Sequence, residues 1–297
     1  MRNAFQVLVL VAGILLLSFG CNRNTVVPDT YQRTTLEYKT LPGVDADLLS
    51  LDVYHFAENA DGPRPIVVWV HGGAWAIGDK ASQLTNKLSL FSELGYLTVS
   101  VNYRLSPEPM ELDNPDRIKF PDHNEDVADA VQWIIQNIAE YGGDPDRLVL
   151  LGHSAGAHLV ALTGTSPAFL PAREIPITAL RGVACLDTQG YDVYSQRDND
   201  FYENAFGADS ATLQEASPMT HVQPGITYPK FFIAKRGNQE RLALANAFID
   251  RLESVGAVVS EVDGSEYSHA GINDAVGDPD DTVVTPALVA FLADSFE

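Results

Sequence analysis

A serine attacks a carbonyl only if one group removes its proton and others hold the negative charge that forms. Ser154 stands in Gly152-His153-Ser154-Ala155-Gly156, a G-x-S-x-G pattern. Before it, Arg147-Leu148-Val149-Leu150-Leu151 reads as a short buried strand, and after it Ala157-His158-Leu159-Val160-Ala161-Leu162 reads as the start of a helix. A serine on so tight a strand-to-helix turn sits in a strained backbone conformation with its hydroxyl exposed, and the flanking glycines leave room for the turn. The helix N-terminus beneath it favours developing negative charge. The five letters alone fit an ordinary glycine-rich turn as well; the strand before and the helix after give the pattern its weight. Upstream, Pro65-Ile66-Val67-Val68-Trp69-Val70 reads as a second buried strand and ends in His71-Gly72-Gly73-Ala74-Trp75. Charge on an oxyanion needs backbone N–H groups aimed at an empty spot near the nucleophile, and glycines let the backbone come that close.

These motifs occur in order with Gly78-Asp79-Lys80, Asn102-Tyr103-Arg104-Leu105 and Gly142-Gly143-Asp144-Pro145. Together they resemble the α/β-hydrolase carboxylesterases, in the branch related to hormone-sensitive lipase, feruloyl-esterase-like enzymes and arylformamidases. The resemblance covers roughly residues 45–295 and is specific for the superfamily but not for substrate. It implies an α/β fold with a central, mostly parallel sheet flanked by helices. It also implies an oxyanion hole built from the N–H groups of Gly73, Ala74 and Ala155, and leaves His71 as a brace of its loop.

Ser154 needs a base, and the order in this fold is serine, acid, histidine. His158, His221 and His269 follow the serine. His158 falls one helical turn past the elbow and is expected to pack beside the site; His221 lies in a proline-rich loop. His269 follows the strand-like residues 257–262 in the loop Ser265-Glu266-Tyr267-Ser268-His269-Ala270-Gly271, where the family places its histidine. The acid should follow the strand over residues 230–234. The family usually has an aspartate there, but this chain reads Lys235-Arg236-Gly237-Asn238-Gln239-Glu240-Arg241. Glu240 is the expected acid, set against the plainer role of a solvated first-turn glutamate. Asp187, at the end of the strand-like residues 182–186, is the alternative, and Asp192 and Asp263 are weaker ones. Without any of them the serine and histidine would work as a dyad.

Other residues read as structural. Arg104 is expected to bond buried backbone or a carboxylate, and the resemblance places Asp126, on an apolar-periodic helix, in support of it. Trp75 either lines a substrate pocket or caps the core. Asp79 and Lys80 read as a loop-bracing pair.

With 297 residues, 45% of them hydrophobic, the chain can fill one large α/β core. Its net charge of −21 argues against nucleic acid as a partner, since phosphates would be repelled. No His/Cys/Asp group has metal-ligand spacing and no phosphate-binding glycine loop is present, so no cofactor or metal is expected. A small-molecule ester is the expected partner.

The amino terminus reads as a targeting segment. After Arg2, residues 7–17 are unbroken apolar-plus-glycine, too short for a comfortable membrane span. The run ends at Ser18-Phe19-Gly20-Cys21, which resembles a bacterial lipoprotein cleavage site, with Ser18 and Phe19 departing from its usual residues. Residues 1–21 are therefore expected to be a signal peptide, Cys21 a lipidated anchor, and residues 22–35 a polar tether. That places the protein in the bacterial cell envelope, facing the periplasm or the surface; ordinary secretion is the alternative. Cys185, the other cysteine, is expected to be buried and inert.

Residues 36–297 then form one hydrolase domain. Residues 47–54 alternate polar and apolar as an early antiparallel strand. Residues 187–228, with Tyr191, Tyr194, Phe201, Tyr202 and Phe206 among Asp and Asn, read as a small cap or an insertion with its own aromatic core. The expected activity is hydrolysis of a short-chain carboxylic ester. Arylformamidase-like or sugar-deacetylase activity, and an inactive hydrolase fold serving as a surface binding lipoprotein, are the alternatives.

Overall fold

The computed structural model describes residues 31–56 and 62–297. The expected signal peptide, Cys21 and residues 22–30 of the expected tether lie outside the described residues. The elements run β1 (Tyr31–Glu37), β2 (Ser50–Phe56), β3 (Arg64–Val70), α1 (Thr85–Glu93), β4 (Leu97–Val101), α2 (Asp122–Asn137), β5 (Gly143–His153) and α3 (Ala155–Thr163). They continue with β6 (Leu180–Leu186), α4 (Asp200–Phe206), α5 (Ser210–Glu215), α6 (Pro218–His221), β7 (Lys230–Lys235), α7 (Gln239–Ser254), β8 (Val259–Asp263), α8 (Gly271–Asp274) and α9 (Val284–Phe296).

The eight strands form one sheet in the order β1-β2-β4-β3-β5-β6-β7-β8. β1, β2 and β4 pair antiparallel, and all pairs from β4 onwards are parallel. The central strands read as unbroken apolar runs because both of their faces are covered. Val68, Val70, Leu148 and Leu150 point into a layer shared with Val131 and Ile134 of α2 and Leu159 of α3. Their neighbours Val67, Trp69, Val149 and Leu151 point the other way, onto Leu88 and Phe91 of α1 and Leu288 and Leu292 of α9.

β1 corrects the expected domain boundary. Residues 31–35, expected to be tether, are already in the sheet, with Tyr31 opposite Phe56 and Glu37 opposite Ser50. An edge strand is covered on fewer sides, so its polar residues can stay in water and it reads as a linker. Its anchor is Tyr31, buried with its ring 4.8 Å from that of Phe56.

Parallel strands bring their carboxyl ends to one edge of the sheet, the usual place for a ligand site in such folds. Here that edge carries the loop after β3, the turn after β5, and the residues after β6 and β8. Between β6 and β7 the chain makes a 3-10 stretch over Gly190–Gln196 and then α4, α5 and α6. This is the segment expected to be a cap or an insertion. Its Tyr202 and Phe206 rings stand 5.0 and 4.8 Å from Trp75, so it packs its aromatic residues onto the loop beside Ser154.

Candidate active site

Ser154 has φ 55 and ψ −116, a conformation that non-glycine residues rarely adopt, at the junction of β5 and α3. The turn closes only because its neighbours lack side chains. A Cβ on Gly152 would lie 2.3 Å from the Gly156 carbonyl oxygen, and one on Gly156 would lie 2.1 Å from that of Val70. The Ser154 N–H donates to Leu186 O at 2.9 Å, which ties the elbow to the end of β6.

His269 Nε2 lies 2.9 Å from Ser154 Oγ. Its Nδ1 lies 2.6 Å from Asp187 Oδ2. A carboxylate only accepts, so Nδ1 carries the proton and Nε2 is left to accept from the serine hydroxyl. Asp187 follows β6 directly and is almost wholly buried. Burial by itself would raise its carboxyl; the hydrogen bond from His269 and the guanidinium groups of Arg241 and Arg236 outweigh that and hold it at about 2. It is therefore an anion at neutral pH.

The carboxylate on His269 is thus Asp187 and not Glu240, which is a correction to the sequence expectation. Glu240 is exposed in the first turn of α7. Asn238 caps that helix through a bond from the Arg241 N–H to its Oδ1 at 2.9 Å. The helix then turns Arg241, one residue past Glu240, back onto Asp187: Arg241 Nη2 and Nε donate to Asp187 Oδ1 at 2.7 and 3.0 Å. Arg236 Nη1 donates to Oδ2 at 2.8 Å. The segment expected to supply the acid supplies two cations to it instead. Asp192 and Asp263 are engaged locally, with Ser195 and Ser265.

The other two histidines are accounted for elsewhere. His221 bonds Glu215 O at 2.7 Å. His158 is fully buried, and burial lowers it to about 4, so it is neutral. Its Nε2 donates to Ala216 O at 2.8 Å while Nδ1 accepts from Trp75 Nε1 at 3.3 Å. It thereby pins the insertion to the loop after β3. One histidine in the site went unnoticed in the sequence, namely His153, the variable residue of the elbow. Burial first, and the nearby His269 second, lower it to about 3. In the neutral form it donates from Nε2 to His269 O at 2.8 Å, which fixes the backbone of the residue beside Ser154.

The loop after β3 is wound tightly. Gly73 has φ 119, and a Cβ there would lie 1.9 Å from Ile77 O, so only glycine fits. Ala74 and Trp75 follow at φ 51 and 59. His71 braces the loop as expected, with Nδ1 against Gly72 O at 2.7 Å and its ring stacked on Tyr103 at 4.5 Å. Lys80 pairs with Asp47, while Asp79 accepts from the Ala81 N–H, so the expected Asp79–Lys80 brace does not form. Arg104 grips buried Asp126 through Nε and Nη2 at 2.7 and 2.9 Å, the carboxylate contact expected of it.

Ala74, Trp75, Ser154, Ala155 and His269 open onto one cleft of about 130 Å³. Gly73 does not line it. Thr188, Gln189 and Arg241 line it too, with Asn199, Phe201 and Tyr202 from the insertion. Trp75 is both buried and cleft-lining, so its two expected roles coincide.

A mostly parallel sheet with a serine at the strand-to-helix elbow, a histidine on its hydroxyl and an aspartate behind the histidine defines an α/β-hydrolase. Comparison with known proteins narrows this. The family model described as BD-FAE matches residues 51–171. Esterase LipQ of Mycobacterium tuberculosis is 37% identical over 163 residues, covering 53% of this chain and 37% of its own. "Probable carboxylic ester hydrolase LipM" of the same organism is 33% identical over 211 residues, covering 65% of this chain and 46% of its own. The chain therefore spans less than half the length of these curated relatives. A fungal esterase from Rhizomucor miehei shares the fold at a TM-score of 0.69, with 20% identity, over 92% of this chain and 85% of that one. Over the matched stretch the chain is thus similar to carboxylesterases, and its fold is that of an α/β-hydrolase.

Proposed function

We propose that this protein is a serine esterase that hydrolyses short-chain carboxylic esters through an acyl-enzyme on Ser154. The observation that carries the reading is the unbroken line of contacts from Ser154 Oγ to His269 to Asp187. His269 Nε2 takes the hydroxyl proton as Oγ bonds the ester carbon. Asp187 holds the imidazole in the required tautomer and stabilises the cation that forms. The oxyanion is held by the N–H groups of Ala155 and of the Gly73–Ala74 loop. His269 then returns its proton to the leaving alcohol, and a water activated by the same nitrogen releases the acid. Each oxyanion donor is worth about a hundred- to a thousand-fold in rate.

The acyl preference rests on room. A cleft of about 130 Å³ is comparable with the ~150 Å³ that accommodates one benzene. Ser154 and His269 are in contact, which weighs against an inactive binding module. The reading of residues 1–21 as an export segment with Cys21 as lipid anchor complements this proposal. It would set the esterase at the cell envelope, and loss of palmitate labelling in Cys21→Ala would test it.

The deciding experiment is hydrolysis of p-nitrophenyl esters from acetate to decanoate by wild type and Ser154→Ala. The expected result is turnover highest at the short end and abolished in the variant, with a fluorophosphonate labelling only the wild type. A folded wild type with neither turnover nor labelling would overturn the proposal.

A further inference from the structure

Two guanidinium groups stand on the single carboxylate of Asp187, where one would balance it. Arg236 takes Oδ2, the oxygen shared with His269, and Arg241 takes Oδ1. Two guanidinium cations on one carboxylate leave one net positive charge on these three side chains. Arg241 carries that charge to the substrate side, because it lines the cleft while Arg236 does not. Its Nη1 also donates to Gln189, another cleft residue. Bonds to Asp187 and Gln189 use four of its N–H groups, and a guanidinium has five.

The surroundings sharpen the point. The chain has 40 Asp and Glu residues and a net charge of −21, yet among the described residues none that lines this cleft is acidic. Among those described lining residues the one permanently charged side chain is a cation, Arg241. Neutral esters gain nothing from such a wall, whereas an anion there would be held by a short-range charge-assisted hydrogen bond. Position tells which part of the substrate it meets. His269 must reach the leaving oxygen, so the alcohol lies on the histidine side of Ser154. Arg241 is bonded to the aspartate behind that histidine, and Ala74 and Ala155 carry the oxyanion side.

We propose that Arg241, with Gln189 beside it, forms a subsite for a carboxylate on the alcohol portion of the ester, so that the preferred substrates are esters of anionic hydroxy compounds. This rests on the esterase reading of Ser154, and it adds a specificity that reading does not require.

The test compares two acetates of equal bulk, 4-acetoxybenzoate and uncharged 4-acetoxyacetophenone, with the full-length wild type, Arg241→Gln and Arg241→Lys. Substituting Arg241 disturbs Asp187 and slows both esters, so the readout is the ratio of their kcat/KM values. The expected result is a ratio that falls about tenfold or more in Arg241→Gln, mainly through KM, recovers in part in Arg241→Lys, and shrinks in 0.5 M salt. A ratio unchanged by Arg241→Gln, or a wild type that turns over only the neutral ester, overturns the subsite and leaves the esterase standing. Failure on both esters, with no fluorophosphonate labelling of Ser154, overturns the esterase reading and the subsite with it. If Arg241→Gln is folded but too slow to assay, calorimetric binding of 4-hydroxybenzoate decides. Binding weakened about tenfold against wild type supports the subsite, and equal binding overturns it.

Discussion

Asp187 Oδ2 and His269 Nδ1 meet at 2.6 Å although the two residues are 82 positions apart. β6 and β7 make this possible. The Asp187 N–H donates to Ala234 O at 2.9 Å, and the residue then turns into the left-handed region at φ 45. That turn throws its carboxylate over the carboxyl edge of the sheet, toward the loop that follows β8. Aspartate tolerates this backbone better than most side chains do, and the strain is of the kind found where a side chain must be aimed.

Asp187→Asn should therefore lower kcat on a short ester by on the order of a thousand- to ten-thousand-fold with little change in KM, because the amide favours the wrong imidazole tautomer. Glu240→Gln should stay within about twofold of wild type. Steady-state kinetics on the two variants separate the alternatives. A large loss in Glu240→Gln with a mild one in Asp187→Asn would reject the geometry described above.

Gly73→Ala tests the loop after β3. The new methyl would meet Ile77 O at 1.9 Å, and this contact is with backbone, so the loop must move. The expected loss is about a hundredfold or more in kcat, with the fluorophosphonate still labelling Ser154. Retained activity at wild-type stability would show that the loop holds no transition-state charge.

Stability below pH 4 should track Asp187. Its folded carboxyl, at about 2, lies below the unfolded value of about 3.9. The contribution is fully present above the unfolded value and is lost as pH falls toward 2. It amounts to on the order of 2 kcal/mol. Urea unfolding between pH 5 and 2.5 should show a shallower loss for Asp187→Asn than for wild type, and parallel curves would contradict the assignment.

Lys87 should give a slope of the same sign, in a higher pH window. It is buried, with Nζ 2.8 Å from Asn273 O and 4.7 Å from the centre of the Trp69 ring. Burial lowers it to about 7. Between about 7 and the unfolded value of about 10.4 the unfolded chain holds a proton that the folded one does not, so stability rises with pH across that window. Below it the cost of the buried charge is present in full. Lys87→Met should flatten the rise, as read by denaturant unfolding at pH 7 and 9.5; an identical slope in both proteins would refute it.

The Arg104–Asp126 pair should matter for stability and not for chemistry. Asp126 is wholly buried and takes three bonds from Arg104, including one from its backbone N–H at 3.0 Å. Asp126→Ala leaves a buried guanidinium without its main partner and should cost about 3–5 kcal/mol. Thermal unfolding would show it as a clearly lower Tm, while the folded fraction keeps its kcat. An unchanged Tm would mean that water replaces the carboxylate.

Much of the architecture was fixed by local chemistry. The apolar runs before residues 71 and 152 had to be buried on both faces, so they became central parallel strands. The glycines around Ser154 admitted only a tight turn, and the loop holding His269 had to follow the last strand. These features depend on residues close together in the chain. The choice of carboxylate did not. Asp187 and Glu240 both follow a strand of the right kind, and only the cap at Asn238 and the adjacency of β6 and β7 decide which of them faces His269. The same long-range packing brings Arg236 and Arg241 onto Asp187, sets His153 under His269, and folds the aromatic insertion over Trp75. It also draws residues 31–35 into the sheet through pairing with β2. The sequence by itself specified which elements form and which of them could carry chemistry. The direction in which side chains from separate elements point was left to the tertiary structure, because it depends on strand order, register and helix caps that no short stretch of sequence contains.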